Sequence, residues 1–136
     1  MYNVNSVQGR FINQILSSGM TAKNIKIHLP YGKISAIGPG KADLLEAIER
    51  AGSISGAARA MGMSYKRAWD LVDTMNQCFL EPLVITATGG SHGGGAQVTE
   101  FGYRVLRRYR EIEAKANDHV ALDLRELSAL LNPPTA

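Results

Sequence analysis

A single cysteine, Cys78, stands in the 136 residues, so the chain cannot close an internal disulfide. That excludes a disulfide-stapled secreted scaffold and points to a reducing, cytoplasmic setting. Cys78 lies in the apolar stretch 75–80 with no histidine or basic neighbour in sequence, and is read as a buried small hydrophobe rather than an activated thiolate. No apolar run approaches the roughly 18–20 residues needed to span a bilayer, and no charged head precedes an apolar core at the N-terminus, so neither membrane insertion nor a signal peptide is expected. Paired carboxylates, a His/Cys ligand cluster and a nucleophile with a nearby base are all missing. His28, His92 and His119 are scattered along the chain. The expectation is a non-enzyme without metal or cofactor. There is no internal repeat and no low-complexity tract. With 45% hydrophobic residues, the length suits one small domain with an appendage.

Charge of one sign is in small excess, +3, so its distribution matters more than its sum. Arg104, Arg107, Arg108 and Arg110 crowd into seven positions, and Arg59, Lys66 and Arg67 form a second group. Local basic clusters on a weakly charged chain suit contact with phosphates over a limited face.

Residues 1–21 are weakly patterned and expected to be a flexible segment. Ile25, Ile27 and Leu29 alternate with Lys26 and His28 as in a half-buried strand, with His28 on the polar side. Pro30-Tyr31-Gly32-Lys33 supplies turn chemistry, and Ile34 to Ile37 returns as a second strand. After Gly38-Pro39-Gly40, the residues Leu44, Leu45, Ala47, Ile48 and Ala51 mark a helical face that Gly52 ends. Ser53 or Ser55 caps a short helix whose Ala57, Ala58 and Met61 face inward. Gly62 makes a turn, and Ser64 caps a third helix with the buried stripe Ala68, Leu71, Val72 and Met75. Glu81-Pro82 ends it. Leu83–Ile85 and Ala96–Val98 read as a hairpin, and the five glycines between them permit positive φ angles. Thr99 caps a long helix to about Ala116, roughly 27 Å at 1.5 Å per residue. Asn117-Asp118 interrupts it, and Leu122 to Leu131 form a last short helix. The predicted fold class is mainly α with small β-hairpins: a winged helix-turn-helix over 22–98, then a long C-terminal dimerisation helix and helical tail over 99–136.

In that arrangement the third helix presents its N-terminal residues to base edges in the major groove. Lys66 reaches guanine acceptors or a phosphate, Tyr65 a phosphate, sugar or thymine methyl, and Arg67 a phosphate on the flank. Trp69 divides between packing and contact. Asp70 repels phosphate and is placed to orient Lys66 or Arg67. Ser53, Ser55 and Ser64 offer hydroxyls and helix N–H groups. The wing tip, Thr88, Gly89, Gly90, Ser91 and His92, lies along the backbone or minor groove. A nucleotide-binding loop is excluded, because Gly95 leads into a strand and no Gly-Lys-Ser/Thr ends the loop. The seam Phe101, Val105, Leu106, Tyr109, Ile112 and Ala116 is expected to meet a second copy of the chain.

Several of these segments resemble one family. Gly52-Ser53-Ile54-Ser55-Gly56-Ala57-Ala58-Arg59, Met63-Ser64-Tyr65-Lys66-Arg67-Ala68-Trp69, Met75-Asn76, and Thr88-Gly89-Gly90 through Gly93-Gly94-Gly95-Ala96 are similar to the N-terminal DNA-binding domain of ModE-type molybdate-responsive regulators. The Ser-x-Ser-x-Ala-Ala pattern alone is shared with LysR-type regulators. The resemblance covers about Ile25 to Ala116. It implies a winged helix-turn-helix that dimerises through its final helix on a palindromic operator, linked to molybdenum transport or molybdenum-enzyme genes. ModE proteins continue into β-barrel domains that bind molybdate; this chain, ending at Ala136, is expected to be a stand-alone form of the DNA-binding half. The expected partners are double-stranded DNA and a second copy of the chain, with no membrane and no small-molecule effector. The alternative is a winged-helix protein-interaction module with no operator of its own.

Overall fold

The computed structural model describes residues 25–87 and 94–134. It divides into two units, Ile27–Tyr109 and a smaller one built from the described residues up to Lys26 and from Arg110 onward. The described chain is mainly helical with two antiparallel strand pairs and a long C-terminal helix. The proposed N-terminal segment 1–21 falls outside the described residues.

In the larger unit β1 (Leu29–Tyr31) pairs with β2 (Ile34–Ile37), with a register shift between Leu29 and Pro30. Pro30 and Tyr31 lie in the strand rather than the turn. The reversal is made by Gly32 at φ +60, a left-handed angle that glycine adopts without cost. Ile25, Ile27 and His28 precede β1. His28 is exposed, as the alternation places it, and its ring lies beside Gly38, where an added Cβ would clash with Nδ1. Its Nδ1 is 3.2 Å from Ser35 Oγ.

Helix α1 (Pro39–Ala51) starts with proline in its first turn, where a missing N–H costs nothing. It ends on Gly52 in the left-handed conformation, whose N–H donates to Ile48 O. Ser53, not Ser55, caps α2 (Ile54–Met61), accepting the Gly56 N–H at 3.0 Å. Gly62, also left-handed, closes α2. Ser64 caps α3 (Tyr65–Cys78) by accepting the Arg67 N–H at 3.1 Å. The ends of α1 and α2 and the starts of α2 and α3 thus follow from a local hydrogen bond or a glycine angle.

One core joins these helices. Leu44, Leu45 and Ile48 of α1, Ala57 and Ala58 of α2, and Ala68, Val72 and Met75 of α3 are buried together with Ile37, Leu83, Val84 and Val98. The alanines let α2 and α3 approach closely across a short turn. Cys78 is half-buried rather than buried, sitting at the last residue of α3 where the helix leaves the core. Strand β3 (Val84–Ala87) pairs with β4 (Gly95–Val98) in register from Val84↔Val98 to Ala87↔Gly95. Asn76 ties this hairpin to α3. Its Oδ1 accepts the N–H groups of Leu83 (2.8 Å) and Val84 (3.3 Å), and its Nδ2 donates to Val84 O (3.0 Å). On the other strand, the Ala96 N–H donates to Gly52 O at 2.9 Å.

Helix α4 (Glu100–Ser128) is opened by Thr99, whose Oγ1 accepts the Gly102 N–H at 2.9 Å and donates to Pro82 O at 2.7 Å. Gly102 lies so near β3 that a Cβ there would stand 2.3 Å from Leu83 O. The first turns of α4 therefore lie directly on the hairpin. Tyr109 Oη donates to Ile27 O at 2.9 Å. The expected interruption at Asn117-Asp118 does not occur, and α4 runs unbroken to Ser128. In the smaller unit, Asn117 Nδ2 donates to Glu113 O (2.8 Å) and its Oδ1 accepts the Ile25 N–H (3.3 Å). The amide is satisfied without leaving the helix, so the residue's usual preference for turns is overridden. Arg110 and Glu113 form an ion pair at 2.9 Å.

Candidate nucleic-acid interface

Helix α3 has two unlike sides. Ala68, Val72 and Met75 recur at helical spacing and are buried, with Leu71 partly covered beside them. That fixes the rotation of the helix and leaves Tyr65, Lys66, Arg67, Trp69 and Asp70 exposed on the opposite side. Ser64 is exposed as well, so the amino end of α3 opens to solvent. With Lys66, Arg67, Asp70, Leu71 and Thr74, Ser64 lines an open depression of about 260 Å³.

The charges on this side are partly organised. Lys66 Nζ lies 3.0 Å from Asp70 Oδ2, a pair one helical turn apart in which both side chains remain largely in water. Such a pair adds little stability, yet it restrains the ammonium along the helix surface. Arg67 has no carboxylate partner among the described residues. Trp69 Nε1 donates to Tyr65 Oη at 2.5 Å, and the two rings meet edge to face with centroids 6.5 Å apart. Trp69, 36% exposed, stands at the border between packing and solvent and is tied to Tyr65 on the solvent side.

The two serines at the start of α2 divide their tasks. Ser53 spends its Oγ on the α2 cap, while the exposed Ser55 hydroxyl approaches it at 3.4 Å. The expected wing-tip residues Thr88, Gly89, Gly90, Ser91 and His92 lie outside the described residues. The strands that carry that tip are held to α3 by Asn76. Nothing in the sequence pattern signals that role, and Met75-Asn76 stands out there only through the family resemblance.

The first four residues of the seam expected to face a second copy pack within the chain's own larger unit. Leu106 and Tyr109 are 8% and 5% exposed within the chain's own core, and Phe101 and Val105 pack against that core. The cause is the close approach allowed by Gly102. An apolar helical stripe in sequence identifies a covered face without identifying the cover. Of the six residues only Ile112, at 47%, is well exposed, and Ala116 is half-buried. Farther along α4, Leu122 and Leu127 are exposed.

Tyr103, on the outward side of α4's first turns, has its hydroxyl pushed above the ordinary tyrosine value. Desolvation is the largest cause, followed by the negative charge of Glu49 and a hydrogen bond to it. Among the described residues, no three His, Cys, Asp or Glu side chains are grouped to hold a metal ion, and no helix is long and apolar enough to cross a membrane.

No protein-family model matches the chain. Individual proteins do. The molybdenum transport protein ModE of Azotobacter vinelandii is 46% identical over 101 residues, covering 74% of this chain and 36% of that protein. The transcriptional regulator ModE of Yersinia pestis is 43% identical over 96 residues, 68% of this chain and 36% of its own length. The molybdenum-pterin-binding protein MopA of Rhodobacter capsulatus is 49% identical over 77 residues, 57% and 29% of the two chains. This chain thus spans little more than a third of the ModE proteins it matches. These relatives are named as regulators, transport or binding proteins, which points away from an enzyme. The expectation of no small-molecule effector gains nothing from them, since MopA is named for binding a molybdenum pterin. Over the stretch it shares with them, the chain is homologous to the ModE-type transcriptional regulators.

Proposed function

We propose that the chain is a sequence-specific DNA-binding transcriptional regulator built as a winged helix-turn-helix. In this reading α2 and α3 are the helix-turn-helix and the β3–β4 hairpin is the wing. The observation that carries it is the division of α3: Ala68, Val72 and Met75 in the core, Tyr65, Lys66, Arg67 and Trp69 presented together at an open helix amino end. A helix so held fits a major groove, with Lys66 toward bases and Arg67 toward phosphate. Ser53, Ser55 and Ser64 add hydroxyls near the backbone, and Thr88 to His92 supply the wing tip. The regulator acts as a homodimer on a palindromic operator, and its second copy meets the later part of α4, where Ile112, Leu122 and Leu127 stand exposed. The regulated genes concern molybdenum transport or molybdenum enzymes, a link supported by the names of the relatives.

The test is a titration of duplexes from the promoter regions flanking the gene, at fixed salt, with and without molybdate. Site-selective binding that Lys66→Ala with Arg67→Ala abolishes is the expected result. A change on adding molybdate assigns an oxyanion response to this chain. Absence of selective binding to any promoter overturns the reading and brings the protein-interaction module forward.

A further inference from the structure

Four arginines crowd the first half of α4, and they are not equivalent. Arg110 is paired with Glu113, and Arg108 also has a partner. Arg104 and Arg107 remain. They lie on one exposed helical stripe with Glu100 and Tyr103 at positions i, i+3, i+4 and i+7, and the four side chains line one open depression. Glu100 is one helical turn before Arg104, the spacing at which ion pairs form, yet the two are not paired. The Arg104 guanidinium sits instead over the Phe101 ring, 5.9 Å from its centroid. Glu100 belongs to the first turn of α4, where a carboxylate is favoured by the helix dipole. The other nearby acid, Glu49, is engaged by Tyr103. Residues 1–24 and 88–93 contain no Asp or Glu at all, so no side-chain carboxylate in them is available to either arginine.

Two guanidiniums one turn apart, without carboxylate partners, are suited to phosphate oxygens, which they grip with paired N–H donors. Their position supplies the source of those phosphates. Tyr103 lines their depression and also lines the groove formed by Glu49, Ile85, Ala87 and Gln97 along the β3–β4 hairpin. The arginine stripe therefore continues directly from the flank of that hairpin. We propose that Arg104 and Arg107 form a second phosphate-binding patch, gripping the duplex backbone beside the hairpin and adding affinity without sequence preference. This rests on the DNA-binding reading above and assigns to the duplex two residues that the α3 face does not include.

The experiment measures duplex affinity of the full chain against salt by fluorescence anisotropy, using the tightest-binding promoter duplex and a mixed-sequence duplex. Removing one guanidinium that neutralises a phosphate should reduce the slope of log K against log salt by about one. Arg107→Ala is expected to lower the slope by about one and Arg104→Ala with Arg107→Ala by about two, equally on both duplexes, leaving discrimination between them unchanged. Arg107→Lys should retain most of the slope, since it keeps the charge. An unchanged slope in the double variant overturns the proposal while the DNA-binding reading stands. An unchanged slope together with a shift to smaller species in sedimentation overturns it in favour of an interface between copies. A wild-type chain with no salt-dependent duplex binding overturns both readings at once.

Discussion

Replacing Asn76 by alanine tests how the hairpin is held. The amide makes two good hydrogen bonds, to Leu83 N–H at 2.8 Å and Val84 O at 3.0 Å, and a longer one to Val84 N–H at 3.3 Å. A net hydrogen bond is worth about 0.5–1.5 kcal/mol, and a buried group left unpaired costs about 1–3 kcal/mol. Leu83 and Val84 are both buried, so water does not freely replace the missing amide. Counting the two short bonds in full and the long one lightly gives a loss of about 2–3 kcal/mol. For a folding unit of this size that is a fall in Tm of about 10–20 °C. Thermal and urea unfolding by circular dichroism read it. Gln77→Ala is the control: among the described residues the next side chain on the same helix bonds only to Asp73 at the surface, and its loss should cost under about 0.5 kcal/mol. If Asn76→Ala unfolds within about 0.5 kcal/mol of Gln77→Ala, the amide is not what joins α3 to β3, and the reasoning from buried backbone groups fails here.

Other outcomes follow from single contacts. Gly102→Ala should destabilise by about 3 kcal/mol or more in urea unfolding, because its Cβ meets Leu83 O, although alanine ordinarily favours a helix by about 1 kcal/mol. Gly40→Ala, with nothing near its Cβ, should instead gain about 0.5–1 kcal/mol in the same assay. Ser64→Ala should cost about 1 kcal/mol by removing the α3 cap, with Ser64→Asp recovering most of it. The Tyr103 step, read as the alkaline absorbance difference between the chain and Tyr103→Phe, should come above the ordinary tyrosine value, and Glu49→Gln should bring it lower. Because the folded state holds that proton above the ordinary 10.0, its contribution to stability is present below that pH and fades as pH rises past it.

What is legible in the sequence is local. Gly52, Gly62, Ser53 and Ser64 announce helix ends because their angle or hydroxyl acts on residues two to four positions away. The stripe of α3 is readable for the same reason, and with it the exposed group Tyr65, Lys66, Arg67 and Trp69. What escapes depends on residues far apart. Asn117 looks like a helix break until Ile25 supplies a partner for its amide. Leu106 and Tyr109 read as an apolar stripe, but that they meet their own chain's core depends on Gly102 lying against the backbone of Leu83. Pro30 looks like part of a turn because the strand position it occupies is fixed by pairing with Ser35. The Arg104 and Arg107 pair is visible as composition only; which arginines lack acidic partners is a three-dimensional fact.

The bond from Ala96 N–H to Gly52 O has one more consequence. Gly52 already terminates α1, so the second strand of the hairpin leans on the corner between α1 and α2. The Ala96 amide can exchange its hydrogen with solvent only when that corner and the strand separate. Its exchange rate is therefore a built-in gauge of whether the first two helices and the hairpin open together or one at a time.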